Sequence, residues 1–591
     1  MHLPFNLGRF LNEKVREIAV TVDGFDADFE PAVRPAEPRF GDFQANGAFS
    51  YAKKRKANPR ALATALAEQL GREAPFTDGG IAIEVAGPGF LNFTLSAAAL
   101  LAWLERYRDA DDLRSGARTV YAGETVVVDY PSANTAKQTH IGHLRPMVIG
   151  EAVQRLVRFC GATVIRDNHI GDWGTNFGTL IRQMKQESVS LEAIDDPETA
   201  VATLERLYKA GTQAEKDDPA IREDSRAELV KLQEGDPENT RVWERVNEVS
   251  TQAMQVVYAQ LGLAFEHTLG ESFYRDKVGR VYQELQDAGL AQESEGALVV
   301  FHPEHPRFKK YPFLIRKKDG ASNYASTDLA TVLYRVEQWQ AREVIYVTDG
   351  RQQDHFQQLF LTTQKWFEAR GYPMPRLRHV WFGVILGSDG KAIKTRTGEP
   401  ILLKALLEEA VERARQVVAE KNPELPAQEQ QLVARTVGLG AVRYFDLSSN
   451  RTQDYVFDWE RMLAFDGNTA PYLLYAVARI HAIFRKAQLV PGDRANEAGA
   501  SPFETETELA LARKLAGFPA ALDLALAELR PHFLCTYLYE LAGQFSSFYN
   551  ADRVIVEAAD VKARRLVLCA RTLWMLETGL HLLGLETLER M

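Results

Sequence analysis

Three cysteines in 591 residues, Cys160, Cys535 and Cys569, are too few and too far apart for a disulfide framework or a cysteine-based zinc site. They suit a reducing, cytoplasmic setting. Long apolar runs are missing too: a run such as Ala97 to Leu104 falls well short of the roughly 20 residues that span a bilayer, so no membrane role is expected. Met1 to Phe10 lacks a charged region followed by an apolar stretch, so no signal peptide is expected. Positive charge is not in excess, the net being -10. That weighs only weakly against a nucleic-acid partner, because RNA binding needs a local basic surface and not a basic average. There is no repeat and no low-complexity tract. What is present, 46% hydrophobic and 25% charged residues, is the composition of a soluble globular protein. The length exceeds what one core accommodates and predicts about three to four domains.

Residues 1–115 mix helical and strand patterns and predict a small α+β domain, with strands at Ile81 to Val85 and Phe90 to Leu95 joined by Gly87, Pro88 and Gly89. Thr125 to Tyr130 is a β-branched strand. After a polar segment, Val148, Ala152, Val153, Leu156 and Phe159 mark a helix face, and Pro146 places the helix start just after Gly142. Gly161 ends that helix and Ala162 to Arg166 reads as a strand, so the order is a βαβ unit of a parallel sheet. From about 175 to 262 the chain is charged and helical, broken near Asp217-Asp218-Pro219 and Gly235-Asp236-Pro237, and predicts a helical insertion extending over about 178–290. The sheet is expected to resume with Tyr311 to Lys317, Glu343 to Thr348 and His379 to Leu386, and to close near residue 451. Residues 452–591 predict an α-helical bundle.

The chemistry concentrates in Ser132-Ala133-Asn134-Thr135-Ala136-Lys137-Gln138-Thr139-His140-Ile141-Gly142-His143-Leu144-Arg145. It lies between a strand and a helix at the carboxyl edge of a parallel sheet, where open α/β folds bind ligands. His140 and His143 share one face of a helical first turn. Gly142 lets a flat ring lie on the backbone, and the unpaired amides of the helix start suit a phosphate chain. Two plainer readings stand beside this one: the histidines as helix caps, and the histidines as two ligands of a metal lacking its third.

His140-Ile141-Gly142-His143 after a strand resembles the signature of class I aminoacyl-tRNA synthetases. The longer run, with Asn134, Ala136 and Lys137 before it and Leu144-Arg145 after it, is similar to that of arginyl-tRNA synthetases. Asn168-His169-Ile170-Gly171-Asp172-Trp173-Gly174-Thr175 resembles a second segment of the same family. The likeness runs along nearly the whole chain, loosest at 180–260. It implies a multidomain α/β protein: a Rossmann-type catalytic domain over 116–451 with its helical insertion, an N-terminal α+β domain over 1–115, and an all-α anticodon-binding bundle over 452–591. It also implies a mobile basic loop over 387–398, where Lys391, Lys394 and Arg396 would neutralise departing pyrophosphate. A solvated hairpin is the plain alternative. The family's usual Lys-Met-Ser-Lys-Ser string is not there, and the resemblance implies that Lys137 compensates.

A guanidinium calls for carboxylates placed for bidentate hydrogen bonds and an aromatic face. Tyr324-Ala325-Ser326-Thr327-Asp328 puts both groups on one helical face if a helix begins there. By resemblance Asp129 and Asp328 are the anionic partners of arginine, Tyr324 the packing ring, and Asn134 and Gln352 the holders of its α-amino end. His140, Gly142 and His143 would hold ATP, with magnesium on its phosphates; no zinc is expected. The partners implied are L-arginine, ATP and tRNA(Arg), bound by a monomer, with tRNA required before the first step. Asn468 to Ile480, Phe548 to Val554 and Gly584 to Met591 resemble the start and end of the anticodon-binding bundle. Lys53-Lys54-Arg55-Lys56 and Asn58-Pro59-Arg60, in the domain expected at the tRNA elbow, can meet phosphates or simply end a solvated helix. His302-Pro303-Glu304-His305 reads as a loop more readily than as a metal site. A cysteinyl-type enzyme conflicts with the shortage of cysteine, a silent tRNA binder with the retained histidines and basic loop, and a small nucleotidyltransferase with the long helical end.

Overall fold

A computed structural model describes residues 3–393 and 399–591. The sheet that organises the molecule has four parallel strands in the order Arg376–His379, Glu343–Tyr346, Thr125–Asp129, Thr163–Asp167. Its central strands are apolar on both faces: Val126, Val127, Val128, Val344 and Ile345 are all buried, as helices on both sides of a parallel sheet require. The helix Leu144–Phe159 is surrounded on nearly every side, only Arg155 and Arg158 escaping burial. Gly150 on that helix permits close packing on the strand, since a Cβ there would sit 2.3 Å from the ring of Tyr130.

Two of the expected strands differ from the sequence reading. Within Tyr311 to Lys317 only Phe313–Arg316 is extended, and it belongs to a separate antiparallel sheet with Ala291–Ser294 and Ala297–Val300. The reason is visible in its burial, which alternates between buried Phe313 and Ile315 and exposed Leu314: one face meets water, which the interior of the parallel sheet does not allow. His379 to Leu386 is not one strand either. The parallel strand ends at His379, and Ile385–Leu386 pairs instead with Tyr455–Val456. Gly383 between them approaches Gln453 and Asp454 so closely that a Cβ would lie 2.4 Å from a carboxylate oxygen.

The N-terminal part sets helices, among them Leu7–Ala19, Pro59–Leu70 and Ala97–Arg106, around an antiparallel sheet ordered Val33–Pro35, Phe43–Ala45, Phe90–Leu95, Ile81–Ala86. The insertion is the helices Asn176–Glu187, Pro197–Asp217, Pro219–Gln233 and Pro237–Gln260, with a core of their own around Phe177, Leu180, Leu204 and Val246. Three of them begin alike: Asp196, Asp218 and Asp236 each accept backbone amides of the first turn, and a proline follows where no donor is missed. Helices from Leu403–Lys421 onward build the carboxyl end, including Ala470–Ala487, Phe518–Glu528, His532–Ala551 and Ala559–Leu582. Their core is continuous with that of the N-terminal part and of the Leu144–Phe159 helix.

Candidate active site

The segment after Thr125–Asp129 is held open as a platform. Ser132 and Ala136 take positive φ, 56° and 60°. Thr135 N donates to Gly171 O at 3.1 Å, Gly171 N to Ala133 O at 3.2 Å, and Ala136 N to Ser250 Oγ at 3.0 Å. The two sequence segments singled out separately thus lie against each other. Gly171 is needed there, because a Cβ would collide with Asn134 Oδ1 at 1.9 Å.

His140 and His143 come together, ring centroids 4.1 Å apart, at the turn Ile141–His143 that opens the long helix. His140 Nδ1 accepts from Gly142 N and His143 Nδ1 from His140 N, both at 3.1 Å. Those bonds assign the ring proton to Nε2 on each imidazole, leaving Nε2–H as a donor. Burial lowers the His140 pKa, Glu205 opposing and Lys137 assisting. Burial and then His140 push His143 down to about 3. Both rings are therefore neutral donors at physiological pH. Lys137, exposed beside them, has its Nζ 5.7 Å from the ring centre of Tyr208 on the insertion. Gly142 is exposed and its amide is spent on His140. The chain returning from the basic loop bonds directly to this turn: Ile141 N donates to Ile401 O at 2.9 Å and Leu403 N to Thr139 O at 3.0 Å.

Lys391 is exposed on a tight turn in which Gly387 N donates to Lys391 O at 2.7 Å. Lys394 and Arg396 lie outside the described residues.

Of the expected arginine-binding residues, Tyr324 and Asp328 stand on the first turns of the Tyr324–Trp339 helix, capped by Asn323. Tyr324 is 66% exposed, and burial, then Glu271 and Asp328, raise its pKa. Asp328 Oδ2 meets His355 Nε2 at 2.5 Å. Gln352 is exposed at the end of the Gly350–Gln352 turn, three residues before that histidine. Asn134 is exposed at the platform. Asp129 is placed differently from these. It is 4% exposed, and its carboxylate is occupied by Arg335 Nη2 at 2.6 Å and Ser132 Oγ at 2.6 Å. Arg335 Nη2 also reaches Asp167 Oδ2 at 2.7 Å.

Sequence reasoning missed three residues here: Arg335, His355 and Glu271. Glu271 opens a four-residue helix, Glu271–Tyr274, with no periodicity to read. Burial, then the charges of Asp328 and Asp172, push its pKa up to about 8. Glu271 and Asp328 act on one another through their charges beside an exposed tyrosine, with His355 Nε2 on Asp328, an arrangement that favours a cation there.

A parallel sheet whose first helix opens on two neutral imidazole donors, carrying a helical insertion and a terminal helical bundle, defines a class I aminoacyl-tRNA synthetase. Family models agree along the chain: tRNA synthetases class I (R), catalytic domain, matches residues 112–459; Arginyl tRNA synthetase N terminal domain matches 9–95; DALR anticodon binding domain matches 473–591. Arginine–tRNA ligases of Cellvibrio japonicus and Erwinia tasmaniensis are each 42% identical to it, covering 99% of this chain and 100% of theirs. Among solved structures, Plasmodium falciparum arginyl-tRNA synthetase superposes with a TM-score of 0.83 at 26% identity, covering 100% of both chains. That of Thermus thermophilus gives 0.81 at 25% identity, over 99% of this chain and 100% of the other. The chain belongs to the arginyl-tRNA synthetase family.

Proposed function

We infer that the protein attaches L-arginine to tRNA(Arg), using ATP and passing through an arginyl-adenylate. The observation that carries the choice of amino acid is the pair of half-buried carboxyl groups, Glu271 and Asp328, beside Tyr324, the second held by His355 and neither, among the described residues, by an arginine or lysine. A guanidinium placed there satisfies both carboxylates. A lysine ammonium has fewer donors and no fork, and it leaves buried acceptors unpaired. Asn134 and Gln352, both exposed, are assigned to the α-amino end. Asp129, expected as an anionic partner of arginine, is instead read as a support of the pocket, because its carboxylate already holds Arg335 and Ser132.

The arginine carboxylate attacks the α-phosphate of ATP, and pyrophosphate leaves. The Nε2–H groups of His140 and His143 donate to phosphate oxygens whose charge grows in the transition state. Being neutral, they do so without losing a proton. Lys137 and Lys391 supply cationic charge, with Lys394 and Arg396 assigned to the same task. Magnesium belongs to this proposal as an ion carried on ATP's phosphates. Among the described residues no group of three or more metal-ligating side chains is placed to hold it. The adenylate then yields arginine to the terminal ribose of tRNA. No protein nucleophile enters, since in-line positioning and charge balance supply the acceleration.

We assign residues 1–115 to the tRNA elbow, 116–451 to catalysis and 452–591 to the anticodon. The exposed Lys53, Lys54 and Lys56 at the end of the Gly47–Arg55 helix offer phosphate contacts. Exposed Tyr475 and the pair Arg479–Tyr549, 4.4 Å from cation to ring centre, offer stacking faces for bases. We further propose a cytoplasmic monomer that needs tRNA for adenylate formation. Three buried unpaired cysteines favour a reducing compartment, and no described helix is long and apolar enough to cross a membrane. ATP–pyrophosphate exchange with each of the twenty amino acids, with and without tRNA, tests the reading. Exchange with arginine alone, dependent on tRNA, is expected; exchange with another amino acid, or none, overturns it.

A further inference from the structure

The carboxyl end of the Phe518–Glu528 helix, inside the terminal bundle, is capped from outside the bundle. Ala527 O accepts from Arg378 Nη2 at 2.8 Å, Glu528 O from Arg451 Nη2 at 3.1 Å, and Leu529 O from Arg451 Nε at 3.1 Å. A helix leaves its last carbonyls unpaired and carries partial negative charge at that end, so two guanidiniums are matched to it in both respects. Arg378 stands on the edge strand Arg376–His379, and Arg451 follows the Ala427–Leu447 helix. Arg451 is 8% exposed, its guanidinium bonds to the carbonyls of Leu529, Glu528 and Trp381, and the Glu528 charge also acts on it. Burial, then Arg530 and Arg378, bring its pKa down to about 10. It remains charged at neutral pH, held by carbonyl dipoles.

The same residue is linked through backbone hydrogen bonds to the turn that carries Gln352. Arg451 Nη1 donates to Trp381 O, and Arg451 O accepts from Gly383 N at 2.9 Å. Between them, Phe382 O accepts from Gly350 N at 3.0 Å, at the turn that ends in Gln352 and leads to His355, the partner of Asp328. On the far side, Val384 N donates to Asp454 Oδ1 at 2.7 Å, and Ile385–Leu386 pairs with Tyr455–Val456 where the lysine-bearing turn begins. Gln352, His355 and the root of that turn therefore share one short support, residues 381–384, and Arg451 fastens that support to the bundle.

We propose that Arg451, assisted by Arg378, is a positioning residue that couples RNA seated on the bundle to the arginine pocket. RNA stacked on Tyr549 holds the His532–Ala551 helix, whose Tyr537 ring lies 5.7 Å from that of Phe518. The Phe518–Glu528 helix is held with it, its terminal carbonyls hold the guanidinium, and the guanidinium sets the 381–384 segment that supports the turn of Gln352 and His355. This rests on the functional reading above.

The test compares Arg451→Gln, Arg451→Lys and wild type in tRNA affinity by filter retention and in arginine KM and kcat by pyrophosphate exchange with tRNA. Expected for Arg451→Gln is tRNA affinity within about twofold of wild type and arginine KM raised about tenfold. Lysine keeps the charge but not the fork and is expected to leave most of that defect. Wild-type arginine KM in Arg451→Gln, a defect confined to tRNA affinity, or full rescue by lysine would overturn the coupling. If Arg451→Gln does not fold, Arg378→Gln, which loosens the same helix end, is expected to raise arginine KM by a few-fold, and an unchanged KM there contradicts the proposal. Hydrogen exchange on the wild type adds an arm that needs no variant and no activity: the amides of Gly350 and Gly383 are expected to slow when tRNA is added, and unchanged exchange contradicts the proposal. Absence of arginine-dependent exchange in wild type would refute the functional reading, while the hydrogen-exchange arm still decides the coupling.

Discussion

Two pairs of carboxylates near the carboxyl end of the parallel sheet are in opposite states. Asp129 and Asp167 end neighbouring strands and are both buried, and the chain's own Arg335 lies between them, within 2.7 Å of each. Against the burial that disfavours its charge, these two carboxylates hold Arg335 well above its ordinary pKa. Among the described residues Glu271 and Asp328 have no such guanidinium: Asp328 meets His355 Nε2, and Glu271 is driven up to about 8. One pair is closed by a guanidinium of the chain itself, and the other is not. On the proposed function, the second pair would receive from substrate the guanidinium that the first pair receives from the chain.

The comparison breaks most visibly at Arg335. Replacing it by methionine strands two buried carboxylates, and a loss of about 3–5 kcal/mol in unfolding free energy is expected from denaturant titration. Little loss would mean that the buried pair is not held by Arg335. At the open pair, Glu271→Gln should cost about 3 kcal/mol of transition-state binding, roughly 150-fold in kcat/KM for arginine, measured by pyrophosphate exchange. Its effect on stability should have the other sign. The folded pKa of Glu271 lies above its unfolded value, so ionising conditions penalise the fold, increasingly as pH rises from the unfolded value toward about 8. Removing the carboxyl should raise the unfolding midpoint at pH 7 to 8. A fall in both activity and stability would make Glu271 an ordinary structural residue. Smaller still is the effect of His355→Gln. It loosens Asp328 without removing its charge, so arginine KM should rise about tenfold or less while kcat is nearly kept.

Legibility in the sequence followed distance along the chain. The two histidines, their helix and the flanking strands were readable because a strand, a helix cap and a 3.6-residue period are local signals. Tyr324 and Asp328 were readable for the same reason, as i and i+4 on a helix start. Asp129 was correctly placed at a strand end, but its partner lies 206 residues away, beyond any local pattern. Glu271 sits on too short a helix for periodicity and announces itself only through its neighbours. The edge strand Arg376–His379 alternates arginine with leucine and histidine, so an apolar-run reading passed it over in favour of the residues that follow. Arg451 fell at the anticipated domain boundary, where a sequence shows only polar residues and a structure shows what they hold together.

The most direct measurement is the proton balance of arginine binding, by titration calorimetry at pH 7 in buffers of different ionisation enthalpy, with tRNA present. A cation entering beside Glu271 lowers a pKa that starts at about 8, so binding expels a proton and tightens as pH rises, up to about tenfold per unit, levelling off above that value. Release of close to one proton, abolished in Glu271→Gln, is the predicted result. Arginine binding with no proton released, or with the same release in Glu271→Gln, would contradict the assignment of the open carboxylate pair to the substrate guanidinium.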